Sequence, residues 1–130
     1  MTDKGLNICD IGCDHALLPI YLIKTGQIES AIAMDIGESS LAGAKSNIRE
    51  FGLEDKIELR LSDGFCALRQ GETDCAVIAG IGGMLMLDIL KRGRDKWKDM
   101  ESIILSPQRD ERLIREYMSG LCYYETDKIM

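Results

Sequence analysis

Five short apolar runs, at residues 6–11, 31–34, 57–61, 75–79 and 102–105, are each followed by Gly, Asp, Ser or Pro, with segments of helical period between them. Runs this short and continuous are the pattern of strands buried on both faces, which means a parallel sheet covered by helices. Leu41, Ala44, Ile48 and Phe51 form one helical stripe, stopped by Gly52, and Leu113, Ile114, Tyr117 and Met118 form another, stopped by Gly120. Strand and helix are expected to alternate throughout. The predicted architecture is an α/β sandwich with a mostly parallel sheet, helices on both faces and a ligand site beyond the carboxyl ends of the strands. Residues 122–130 read as a sixth strand with nothing after it. That strand is either a plain edge or the seat of a missing segment or partner, and an exposed edge of this kind offers a route to a homodimer.

The 130 residues, 45% hydrophobic, suit one compact domain spanning 1–130, large enough to bury an apolar core without staples. Sixteen Lys and Arg against 22 Asp and Glu leave a net charge of -6, which disfavours nucleic acid and anionic lipid unless the basic residues gather on one face. No apolar stretch approaches the roughly 20 residues of a membrane helix, and the first five residues lack the apolar segment of a signal peptide, so the expectation is a cytoplasmic protein with no membrane partner. The five cysteines, Cys9, Cys13, Cys66, Cys75 and Cys122, include no C-x-x-C pair. They read as reduced, small core residues rather than a disulfide framework or a zinc site. The one histidine, His15, has no cluster of other ligand types in sequence, and no metal is expected.

The run Asp10-Ile11-Gly12-Cys13-Asp14-His15-Ala16 falls where the first strand turns into the first helix, the place at which α/β folds put nucleotide-like cofactors. A dinucleotide turn needs glycines so that backbone N–H groups reach a pyrophosphate, yet Asp14 and Ala16 hold the second and third glycine positions. A carboxylate there repels phosphate. It favours S-adenosylmethionine, which has no phosphate and carries an ammonium and a sulfonium. Asp35, followed by Ile36, ends the second strand roughly 20 residues further on, where an acid can accept both ribose hydroxyl hydrogens. Asp63 and Gly64 end the third strand, where a carboxylate can accept from an adenine amino group. Each of these aspartates taken singly also reads as an ordinary turn or helix-cap residue.

Gly80, Ile81 and Gly82 end the fourth strand and open a helix through Leu85, Leu87 and Leu90; the glycines allow a flat ligand to approach the backbone. No G-K-[ST] follows, so a nucleoside triphosphate is not expected. After the fifth strand, Gln108 could read a base edge and Arg109 a phosphate, with Arg112 and Arg115 as further cations near the crevice and Asp110 capping the last helix.

These residues resemble a known family, the bacterial tRNA adenine-N1 methyltransferases of the TrmK type, which act at position 22 of tRNA. The family's D-I-G-S-D-H-A-Y-L-P is followed by Asp10 to Pro19 with Cys13 for Ser and Leu17 for Tyr; its A-G-M-G-G is similar to Ala79 to Gly83, and its L-Q-P-N to Leu105 to Gln108. Gln108 is one methylene longer than the family's Asn, and Cys13 replaces a hydroxyl. The resemblance covers nearly the whole chain and implies a Rossmann-like class I methyltransferase sheet of order 3-2-1-4-5. It also implies an N-terminal helix, a last antiparallel strand and a C-terminal helical hairpin that this chain is expected to lack.

The leading expectation is therefore an S-adenosylmethionine-dependent enzyme whose substrate, by resemblance, is N1 of an adenine in tRNA. The cofactor would be held by Asp10, Gly12, Cys13, Asp14, Asp35, Ile36, Asp63, Gly64, Gly80, Ile81 and Gly82. Asp14, which matches the family's motif aspartate, is the first catalytic candidate and His15 the second. Two other readings stand beside it: methylation of a small metabolite, which the acidic balance favours, and a cofactor-binding module without catalysis.

Overall fold

The computed structural model describes residues 6–121. In chain order these form β1 (Asn7–Ile11), α1 (Leu17–Lys24), β2 (Ser30–Asp35), α2 (Glu38–Glu50), β3 (Ile57–Leu61), β4 (Cys75–Ala79), α3 (Gly83–Arg92), α4 (Arg94–Trp97), β5 (Ser102–Ser106) and α5 (Glu111–Gly120). The strands make one sheet in the order β3-β2-β1-β4-β5, and all four pairings are parallel. The expected sheet order and the five strands are those observed. The expected sixth strand at 122–130, with Cys122, lies outside the described residues.

The two-residue period of each strand sorts its side chains between two apolar layers. Ile8, Ala31, Ala33, Cys75 and Val77 face α1 and α2, where Ala16, Ile20, Ala44 and Ile48 cover them. Cys9, Ile11, Met34, Ala76 and Ile78 face the other way, against Met86 and Leu90 of α3, Trp97 of α4, and Ile114 and Met118 of α5. The inner strands β1, β2 and β4 are covered on both faces, which is why they read as nearly continuous apolar runs; the edge strands β3 and β5 are partly exposed, and β3, Ile57-Glu58-Leu59-Arg60-Leu61, alternates instead. Among the described residues no helix is long and apolar enough to cross a membrane.

Strand and helix do not alternate throughout. The connection from β3 to β4, residues 62–74, holds turns and no helix. Its large apolar residues, Phe65 and Leu68, are buried in the core beside Ile89 and Trp97 but do not form a helical stripe. Polar bonds do the rest: Arg60 on β3 donates to Glu72 and to the Ala67 carbonyl, and the Lys96 ammonium donates to the Phe65 and Leu68 carbonyls. The Arg60 pair holds the Glu72 carboxyl well below its ordinary range, at about 2. Two further expectations change. Cys66 is exposed whereas Cys9, Cys13 and Cys75 are buried, so it is not a core residue. On α3, Met86 and Ile89 join Leu90 on the buried face, while Leu85 is exposed.

The two loops at the carboxyl ends of β4 and β5 are locked together. Gly80 N–H donates to Ser106 O at 3.2 Å, Gln108 N–H to Ile81 O at 2.8 Å and Gly83 N–H to Arg109 O at 2.9 Å. This close approach depends on Gly83, because a Cβ there would stand 2.6 Å from both the Arg109 and Asp110 carbonyl oxygens. Both neighbours are backbone and cannot swing away. Gly83→Ala is therefore expected to destabilise the chain by about 1–3 kcal/mol despite alanine's better helix propensity, with the loss read from urea unfolding midpoints.

Candidate functional site

The turn after β1 is held by the end of β2. Gly12 and Cys13 both donate their N–H groups to the Met34 carbonyl, at 2.8 and 2.9 Å, and Asp14 N–H donates to Asp35 Oδ2 at 3.0 Å. Asp35 Oδ1 accepts from Gly37 N–H at 2.9 Å, so this one carboxylate fastens two loops. Gly12 takes φ +75°, where a non-glycine residue is strained. Asp14 and Ala16 also sit in the left-handed region, at φ 54° and 62°, on either side of His15. Left-handed non-glycine residues cost on the order of 1 kcal/mol or more each, and persist only where the surroundings over-determine them. Here the fixed partners are the Asp35 carboxylate, the Cys13 carbonyl that accepts from Ala16 N–H at 2.8 Å, and the fully buried Ala16 side chain.

The consequence is electrostatic. The turn's N–H groups at 12, 13 and 14 are all spent inside the protein, and what it presents outward is the exposed Asp14 and His15. A pyrophosphate would meet carboxylates and none of these three amides. Asp10, 4% exposed, lies on the α1 and α2 side of the sheet, in register with Ala33 and Val77. Burial, and secondarily the Asp35 charge, push its carboxyl up to about 7. Ionising it is therefore free of cost in the unfolded chain above pH 3.8 but opposed in the folded one until about pH 7. Cys13 is a core side chain: its Sγ donates to the Asp14 carbonyl at 3.7 Å, and burial followed by the charges of Asp10, Asp35 and Asp14 pushes the thiol up to about 12. It offers no side-chain group to the crevice.

Beyond β2, Ile36 is 70% exposed, an apolar side chain left on the surface next to the Asp35 carboxylate. Beyond β3, the Ser62 hydroxyl donates to Gly64 O at 2.8 Å and accepts from Ala67 N–H at 3.0 Å, so the turn fastens itself and leaves Asp63 outside. The Asp63 carboxylate lies 3.2 Å from the Arg92 guanidinium, whose Nε donates to Asp88 at 2.9 Å. Arg92 was not singled out by its sequence context, since its partner lies 29 positions away. At the end of β4, Gly80 has φ +80° and open space where a Cβ would be, while the Arg109 side chain passes within 3.7 Å of the Cβ position at Gly82. Gln108 and Arg109 are exposed. Asp110 stands at the N-cap of α5 but makes no side-chain cap bond, and Arg115 is paired with Glu111.

His15 and Asp14 stand side by side, with Nε2 of the one 3.9 Å from a carboxylate oxygen of the other. Among the described residues no group of three or more His, Cys, Asp or Glu is placed to hold a metal ion. A separate cleft of about 410 Å³ opens at the opposite, amino end of the sheet, between Asn7, Ser30, Lys56 and Glu72; it shares no residue with the turn after β1.

Residues 1–128 match the family described as methyltransferase domain. The tRNA (adenine(22)-N(1))-methyltransferase of Bacillus subtilis is 36% identical over 127 residues, which is 98% of this chain and 53% of that protein. A crystal structure of the B. subtilis m1A22 tRNA methyltransferase TrmK superposes with TM-score 0.89 at 36% identity, over 95% of this chain and 53% of that one. A putative tRNA (m1A22) methyltransferase from Streptococcus pneumoniae, solved in complex with S-adenosyl-L-methionine, gives TM-score 0.86 at 37% identity, over 91% of this chain and 56% of that one. The chain thus spans about half the length of the relatives it matches. With its all-parallel sheet of order 3-2-1-4-5 and its acid-bearing turn after β1, the chain belongs to the methyltransferase domain family and is similar to its tRNA (adenine-N1)-methyltransferases.

Proposed function

We propose that this chain is the cofactor-binding and base-facing part of an S-adenosylmethionine-dependent enzyme that methylates N1 of an adenine in tRNA, working in the cytoplasm. The observation that carries the cofactor reading is the turn after β1, whose N–H groups are spent on Met34 O and Asp35 while Asp10, Asp14 and Asp35 gather around it. This donor set fits a ligand that is cationic and free of phosphate. It does not fit a dinucleotide. The tRNA substrate is supported by the names of the B. subtilis and S. pneumoniae relatives.

In this reading Asp35 accepts the ribose hydroxyls on the lone pairs that Gly37 and Asp14 leave free. Asp10 supplies a buried negative charge to the ammonium, and Ile36 covers one face of the adenine. Asp63, kept in place by Arg92, accepts from the adenine amino group. Gly12, Gly80, Ile81 and Gly82 contribute backbone that a flat ligand can approach, whereas Cys13 is buried with its N–H and carbonyl spent in the turn and Gly64 is buried against Ile89, so these two shape the site from beneath. When bound, the cofactor supplies an electrophilic methyl group on sulfur.

The chain's own part in the reaction is to orient and to hold charge. Asp14, exposed at the rim of the turn, stabilises the positive charge that develops on the alkylated adenine or takes the amino proton, with His15 beside it. Gln108 reads the base edge and Arg109 a phosphate. Because N1 lies on the pairing edge, the target base has to leave its pair before it can enter.

Incubation of the chain with methyl-labelled cofactor and total bacterial tRNA, followed by nucleoside analysis, is expected to yield labelled 1-methyladenosine. Label only in small molecules would support a metabolite methyltransferase, the reading that the net charge of -6 favours. Cofactor binding without any transfer would support a non-catalytic module.

Asp35→Ala removes charge-assisted bonds to two hydroxyls and is expected to weaken cofactor binding by on the order of 2–3 kcal/mol in titration calorimetry. An unchanged dissociation constant in the folded variant would sink the ribose assignment.

A cation placed beside Asp10 draws off the proton that burial keeps on it. Binding is expected to release close to one proton per cofactor near pH 5 to 6, falling to about half a proton at pH 7 and towards none above it, and to tighten with rising pH over the same range. Calorimetry in buffers of different ionisation enthalpy reads the proton count, and Asp10→Asn is expected to abolish it.

A further inference from the structure

Gly43 stands in the middle of α2, between Ala42 and Ala44. Its φ is not in the left-handed region, so the backbone has no need of glycine there, and an interior glycine costs a helix about 1 kcal/mol relative to alanine. What occupies the space of the missing side chain is the His15 imidazole. A Cβ on residue 43 would lie 2.6 Å from His15 Nδ1 and 3.0 Å from Cε1. One helical turn further on, Asn47 Nδ2 donates to the His15 carbonyl at 2.9 Å. Residues four apart lie on one face of a helix, so α2 grips His15 at its ring and at its backbone together. The ring edge pressed on Gly43 carries Nδ1, and Nε2 is the nitrogen on the Asp14 side.

We propose that Gly43 and Asn47 are positioning residues that seat the His15 ring on α2 with Nε2 turned to Asp14, where the substrate base enters. The role given to the ring rests on the methyltransferase reading; the seat itself does not. An alanine at 43 would meet the movable end of a side chain that is half exposed, so it displaces the ring and leaves the helix intact. The expected signature is unusual for a glycine whose missing side chain makes room for a neighbour: stability held or raised, chemistry lost.

His15 is the one histidine of the 130 residues, so in an untagged chain the imidazole NMR signals belong to it alone. In the parent chain a nuclear Overhauser contact is expected between His15 Hε1 and the Gly43 α-protons. In Gly43→Ala that contact disappears and the ring signals shift, while the unfolding midpoint does not fall. Asn47→Ala is expected to shift the same ring signals. S-adenosylhomocysteine affinity in Gly43→Ala should stay within about threefold of the parent, and the transfer rate at saturating cofactor and tRNA should fall roughly tenfold. If Gly43 acts only through the ring, adding Gly43→Ala to His15→Ala costs nothing more. Unmoved ring signals in Gly43→Ala, or a further loss of rate in the double variant, overturns the seat. A parent chain that transfers no methyl group defeats the methyltransferase reading instead, and the ring signals still decide the seat.

Discussion

The structure turns on what the end of β2 does for the turn after β1. One carbonyl, Met34 O, and one carboxylate, Asp35, take three consecutive N–H groups from residues 12 to 14. Parallel strands lying side by side bring their carboxyl ends to the same level, so the end of β2 is the natural brace for a loop leaving β1. The brace does two jobs. It satisfies amides that would otherwise point at the crevice, and it holds Asp14 and Ala16 in left-handed conformations that push Asp14 and His15 outward. Removing the Asp35 carboxylate would release the Asp14 and Gly37 amides together, so binding and loop geometry are not separable at this residue.

The same end of the sheet is rich in carboxylates that differ in how their charge is met. Asp63 is paired with Arg92, and Asp35 is neutralised in part by backbone dipoles. Asp10 is the most buried, and that burial, with the Asp35 charge rather than a cation nearby as the lesser cause, pushes its carboxyl up to about 7. An arrangement of this kind is stable as an acid and becomes stable as an anion only with a positive group beside it.

Much of this was legible in the chain. Inner strands covered on both faces leave continuous apolar runs, which is how 75–79 stands out at its observed bounds; the edge strand 57–61 is legible at its bounds through the alternation of Ile57, Leu59 and Leu61, and the others within a residue. The turn after β1 was legible because its glycine and aspartates stand together in sequence. The helixless crossing from β3 to β4 was not, since it is fixed by Arg60 bonding the Ala67 carbonyl and Lys96 bonding the Phe65 and Leu68 carbonyls, contacts that no local period encodes. Arg92 and Gly43 were missed for a related reason: their partners are 29 and 28 positions away, the latter being 43 minus 15. Gly43 did carry one local signal, a glycine between two alanines inside a helical segment.

The parallel register adds a temporal dimension. β1 is the central strand, and its partner β4 is met at Ile8↔Cys75, so β1 can complete its pairing only after most of the chain is available. Closing contacts this distant costs loop entropy before any pairing is gained, which makes such sheets slow to form. The acid-bearing turn hangs from that strand and is braced by the next, so it exists only when the sheet does. A ligand that gathers the ends of β1, β2, β3 and β4 would then act as a clamp on the folded state as a whole, and its occupancy would set how long the assembled domain survives between unfolding events.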